Sequence, residues 1–261
     1  MNEVATEMPL SDLQQRARQR WCLLQAAVWL PLLCLLAWRL GLAPDEPNSG
    51  PNSLPLDGLW KWIPFVLLCF SFTTLWLHLG AGRHLADWVT LARFLGLLAF
   101  SFVVLTSGRV DWITWTVALF VVLADLLDGF VARKYGGSEA GAVLDMETDQ
   151  FTTLVLSAAA YTLTSAGVWA LALPAFKYVF VLAMTALGLK STETKPCEGD
   201  NRRGRLICAI VLSLLLASIF PPFPPVMRML SSGLAVLLLV YSFSSDAAFL
   251  WRHARSVSAP K

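Results

Sequence analysis

Long apolar runs broken by short polar stretches organise this chain. A helix needs about 20 apolar residues to cross a bilayer core. Eight segments approach that length, at 21–42, 60–80, 88–107, 112–132, 143–164, 168–188, 206–220 and 226–249. The pattern predicts an all-α polytopic membrane protein with about eight transmembrane helices. The seventh segment is short and stops at Pro221-Pro222, so it is expected to start earlier or to tilt. Residues 43–58 are rich in Pro, Asn, Asp and Gly and read as the longest extracytoplasmic loop, and 190–205 as a polar, basic cytosolic one.

Composition agrees with this reading. The chain has 261 residues, 56% of them hydrophobic and 15% charged, and a mean hydropathy of +0.61. A soluble domain carries about 25% charged residues. The five cysteines lack metal or disulfide spacing. The N-terminus is polar up to Arg20 and does not read as a cleaved signal peptide. With both termini in the cytosol, fifteen of the 20 Lys and Arg residues, Arg93 among them, fall on the cytosolic side. Four fall on the other side, and Lys177 lies inside a span. That asymmetry follows the positive-inside rule and sets the acidic run at 125–149 against the cytosol, in what is expected to be a bacterial inner membrane.

Within that run stand Asp125, Asp128, Asp145 and Asp149. Carboxylates at membrane depth are costly and mark function. On helices, spacings of three and four put each pair on one face. An oxygen-rich cage of this kind suits Mg²⁺ or Mn²⁺. Gly129, Ala132 and Gly141 leave room for a ligand, and Arg133 offers a cation with bidentate geometry for phosphate. Together these residues describe a site for a metal-bound, phosphorylated ligand.

The run resembles the signature of the CDP-alcohol phosphotransferase (CDP-alcohol phosphatidyltransferase) family, D-x2-D-G-x2-A-R followed by G-x3-D-x3-D. Asp125, Asp128, Gly129, Ala132, Arg133, Gly141, Asp145 and Asp149 fill every fixed position. The spacer KYGGSEA, at seven residues, is one shorter than usual. Upstream, Asp87-x2-Thr90-x2-Arg93 resembles the family's N-x2-T-x2-R, with Asp in place of Asn.

The resemblance implies six core helices in a catalytic domain at 84–261, after a two-helix N-terminal extension at 1–83. It implies transfer of a substituted phosphoryl group from a CDP-linked donor to an alcohol, with release of CMP; the chain's modest length favours the branch in which CDP-diacylglycerol gives a phosphatidyl group to a small polar alcohol. By motif position, Asp125, Asp128, Asp145 and Asp149 would bind Mg²⁺ or Mn²⁺, and Asp149 would be the general base. Thr90, Asp125, Gly129, Ala132, Arg133 and Gly141 would line the CDP site. Family members commonly form homodimers. Membrane lipids are expected partners and nucleic acid is not.

Other polar residues carry less signal. Lys177 sits too deep for easy snorkelling and is expected to meet an interior partner or a substrate phosphate. Arg202, Arg203 and Arg205 fit the positive-inside rule and also suit a lipid or acceptor phosphate, Arg205 first among them. Glu147 falls on a different helical face from Asp145 and Asp149 and is expected to be structural. Two other functions compete: a CDP-choline or CDP-ethanolamine transferase acting on diacylglycerol, and an ion-coupled transporter. A transporter would explain the carboxylates but not the glycine, alanine and arginine at fixed spacing. The four intact aspartates argue against a catalytically dead scaffold.

Overall fold

In the computed structural model, the described part of the chain comprises residues 62–79, 81–82, 84–135, 139–186 and 198–257, with Leu23, Gln25 and residues 27–29 ahead of them. Among these residues there is helix, turn and coil but no strand. The helices are α1 (Ile63–Leu79), α2 (Leu85–Ser107), α3 (Trp112–Tyr135), α4 (Glu139–Leu163), α5 (Ala172–Ala186), α6 (Glu198–Ser218) and α7 (Pro225–Val257). A 3-10 turn, Val168–Leu171, leads into α5. The first predicted span, 21–42, lies largely outside the described residues.

Local chemistry sets the helix ends. Asp87, buried in the first turn of α2, accepts hydrogen bonds from the backbone N–H groups of Gly82 (2.9 Å) and His84 (3.3 Å). It thereby satisfies donors that a helix start leaves unpaired. α2 ends at Gly108, which is left-handed (φ 62°) and donates its N–H to the Val104 carbonyl. Three residues on, the Asp111 carboxylate accepts from the Thr114 backbone N–H (2.9 Å) and hydroxyl (2.7 Å), which starts α3.

Two predicted boundaries move. α6 begins at Glu198, so the second half of the stretch read as a cytosolic loop is helical and carries Arg202, Arg203 and Arg205 on its first turns. The sixth segment is not one α-helix from 168, because its first turn is 3-10. A Cβ on Gly167 would collide with the Trp169 indole, whose Nε1 donates to Ser232 Oγ at 3.1 Å on α7.

α2 and the 21 residues of α7 from Pro225 to Ser245 are long and apolar enough to cross a membrane. The apolar stretches of α1, α3, α5 and α6 are shorter. In α3 the acidic motif interrupts the run, and in α6 the arginines do.

α4 is the centre of the bundle, packing against α1, α2, α3, α5 and α6. Its threonines 148, 152, 153 and 162 each donate the hydroxyl to the carbonyl four residues back. These four threonine hydroxyls are thus satisfied within the helix, as an apolar setting favours. One core cluster joins Leu144 and Phe151 of α4 to Phe94 and Leu97 of α2, Leu68 and Phe72 of α1, Tyr178, and Trp29. Phe72 stacks on Phe94 with centroids 3.7 Å apart. Residues ahead of position 83 therefore share one core with those that follow. A second cluster joins α2, α4 and α6 through Phe100, Leu156, Leu212 and Leu215.

Candidate active site

Three helices deliver one constellation. Asp145 and Asp149, four apart, share a face of α4. Asp125 comes from α3, and one carboxylate oxygen of each of the three lies within 4.8 Å of the others. Arg93 enters from α2. Its Nη1 donates to Asp125 Oδ1 (2.9 Å) and Asp145 Oδ1 (2.8 Å), and its Nη2 to Asp149 Oδ1. The Arg93 side chain is fully buried (0% exposed), whereas Asp125, Asp145 and Asp149 are 24%, 40% and 23% exposed. The guanidinium approaches from the bundle interior, and the carboxylates remain open on another side. Arg93, counted above as a cytosolic charge, is therefore a site residue rather than a loop charge.

The other predicted residues fall at different distances from this centre. Thr90, one turn before Arg93 on α2, is buried and bonds the Ala86 carbonyl at 3.2 Å. Gly141 is half-buried on α4, one turn before Asp145. Asp128, Gly129, Ala132 and Arg133 lie on the last turns of α3, and Arg202, Arg203 and Arg205 on the first turns of α6. The side chains of these seven lie outside the described residues.

Lys177 meets an interior partner, donating to Glu147 Oε1 at 2.7 Å, with Glu147 all but fully buried. Glu147 lies two residues from each motif aspartate, so this ion pair faces away from the carboxylate cluster. It ties α5 to α4, as the structural expectation for Glu147 required.

One site residue was not assigned from the sequence: Arg93 was noted only as a motif match and counted as a cytosolic charge.

Three carboxylates form an all-oxygen donor set, which fits a hard divalent cation and not a soft one. A family model described as CDP-alcohol phosphatidyltransferase matches residues 83–246. The chain belongs to that family. No curated protein and no solved structure matches it. Members of the CDP-alcohol phosphatidyltransferase family are membrane transferases of substituted phosphate groups in phospholipid synthesis, acting on a CDP-alcohol and an alcohol acceptor and generally dependent on a divalent metal. The cluster of Asp125, Asp145 and Asp149 lies inside the matched region and could hold that metal.

Proposed function

We propose that this protein transfers the phosphatidyl group of CDP-diacylglycerol to a small polar alcohol and releases CMP. The observation that carries this reading is the convergence of Asp125, Asp145 and Asp149 from two helices within the region matched to the family. Asp125, Asp128, Asp145 and Asp149 would hold Mg²⁺ or Mn²⁺, which would supply charge neutralisation for the phosphorylated substrate.

The acceptor hydroxyl oxygen attacks the phosphorus that carries diacylglycerol. Asp149 takes the hydroxyl proton, and the bond to the CMP oxygen breaks with its electron pair leaving on CMP. Thr90, Gly129, Ala132, Arg133 and Gly141 accommodate the CDP moiety, with Arg133 reaching its phosphates. Arg202, Arg203 and Arg205 bind a lipid or acceptor phosphate. Arg205 is the first choice, because it follows Gly204, which carries no side chain, on the first turns of α6. Lys177 could reach a phosphate only by leaving Glu147. Rate comes chiefly from positioning and charge neutralisation.

The same reading takes the chain as eight spans, two in an N-terminal extension and six in a catalytic core beginning near residue 84. It puts both termini and the site on the cytoplasmic side of a bacterial inner membrane, and the protein as a homodimer. CMP release from CDP-diacylglycerol by purified protein, with Mg²⁺ or Mn²⁺, tests it. Glycerol phosphate, inositol phosphate, inositol and serine serve as acceptors, beside a reaction without acceptor. Release that depends on one acceptor supports the reading and identifies the branch. Release only from CDP-choline or CDP-ethanolamine with diacylglycerol would replace the donor.

A further inference from the structure

A buried arginine bonded to three carboxylates from two other helices is an expensive arrangement for stability alone. Ion pairs withdrawn from water rarely outperform an apolar replacement. Arg93 is also placed where a ligand of the same carboxylates would need to be. Its Nη1 sits between Asp125 Oδ1 and Asp145 Oδ1, at 2.9 and 2.8 Å, and its Nη2 takes Asp149 Oδ1. A Mg²⁺ or Mn²⁺ ion held by those oxygens would need them at roughly 2.0–2.2 Å, in the space the guanidinium nitrogens take. Two cations cannot share it.

We infer that Arg93 is a built-in counter-ion that competes with the divalent metal for Asp125, Asp145 and Asp149, and gives up their oxygens when metal enters. This rests on the metal reading given above and adds a positioning residue to it. Three carboxylates left together without a cation would repel one another and spread α3 from α4. Arg93 prevents that, because its planar fork has donors enough to hold several oxygens at once. The charges also favour exchange over permanent pairing. The carboxylates outnumber the one guanidinium, so negative charge is left for a divalent cation to meet while Arg93 stays close behind.

Once displaced, Arg93 remains a buried cation beside the site and is available to a pyrophosphate oxygen. Lysine could not substitute fully, since a point ammonium does not span three carboxylates.

The test is Mn²⁺ binding to the full-length protein in detergent, read from the electron paramagnetic resonance signal of free Mn²⁺, together with thermal unfolding with and without the ion. Wild type is compared with Arg93→Gln, Arg93→Lys and Asp125→Asn. Removing the internal competitor should tighten Mn²⁺ binding by about tenfold in Arg93→Gln, equivalent to about 1.4 kcal/mol. The same change should lower the midpoint of the metal-free protein and enlarge the rise that Mn²⁺ produces. Arg93→Lys should fall between, and it carries the test if Arg93→Gln does not fold. Equal or weaker Mn²⁺ binding in the folded Arg93 variants, beside a wild type that binds the ion and an Asp125→Asn that does not, would overturn the competition alone. A wild type that binds no Mn²⁺ would overturn the metal reading itself.

Discussion

Two arginines at opposite ends of the bundle make opposite use of the same side chain. Arg93 is bonded to three charged carboxylates that are partly open to ligand. Arg228, near the start of α7, donates through Nη2 to the backbone carbonyls of Pro221 (2.9 Å) and Phe220 (3.4 Å). It sits where α6 ends, at a turn that packs against the start of α3. Trp112 and Trp115 meet Phe220 there with centroids 5.4 and 4.9 Å away, and Trp115 Nε1 donates to the Leu216 carbonyl. The Phe220 carbonyl also accepts the Phe223 N–H at 3.1 Å, whereas proline supplies no N–H, and Arg228 adds a donor for the Pro221 carbonyl. No incoming ligand would take over that task. Carboxylates can exchange one cation for another, whereas carbonyls at a helix end are structural debts. The difference separates a site from a clasp, with Arg93 buried and Arg228 only half-buried.

The comparison can be broken by substitution. The largest effect is expected at the carboxylates, where Asp145→Asn should lower CMP release by at least about 10²-fold, as loss of a charge-stabilising group does. Thermal unfolding should show a folded protein. Next comes the ion pair that belongs to neither end. Lys177→Met leaves Glu147 buried and uncompensated, and should cost about 3 kcal/mol. Adding Glu147→Gln should recover most of it, which a double-mutant cycle by unfolding in detergent would read. Arg228→Met should cost about 1 kcal/mol through loss of the donor to the Pro221 carbonyl, with Mn²⁺ affinity unchanged. A shift in Mn²⁺ affinity there would join the two ends that are here held apart.

The smallest effect is expected at Asp111, in the turn between α2 and α3. Hydrogen bonds from the Thr114 backbone N–H and hydroxyl hold its carboxyl below the usual carboxylate range. Its folded pKa is lower than its unfolded one, so its contribution is present above the unfolded value. That contribution fades as pH falls through the folded one. Asp111→Asn should flatten this acid limb of the stability profile slightly, and an unchanged limb would remove Asp111 from it.

The aspartate site was legible because its signal is local. Asp145 and Asp149 are four apart, and small residues and an arginine follow Asp125 and Asp128 at fixed intervals in one short run. Arg93 was not legible as a site residue, since its role depends on α2 packing against α3 and α4, 32 and 52 positions away at Asp125 and Asp145. Lys177 was expected to have an interior partner, but Glu147 could not be named as that partner before α5 was set beside α4. Asp87 shows a third kind of limit. Where the related motif has Asn, the structure has a carboxylate oxygen that accepts two backbone N–H groups, a task that an amide oxygen can also perform. The early start of α6 was hidden because its first turns are polar, and hydropathy windows read polar helix and loop alike.

The most direct test of the central claim is metal-dependent CMP release from CDP-diacylglycerol by wild type and Asp149→Asn, both purified and shown to be folded. The account predicts release by wild type that stops on chelation and returns with Mg²⁺ or Mn²⁺. It predicts a loss of about 10³-fold in the variant, in the range for removal of a general base that also ligates charge. Wild-type turnover in Asp149→Asn, or release indifferent to chelation, would contradict it.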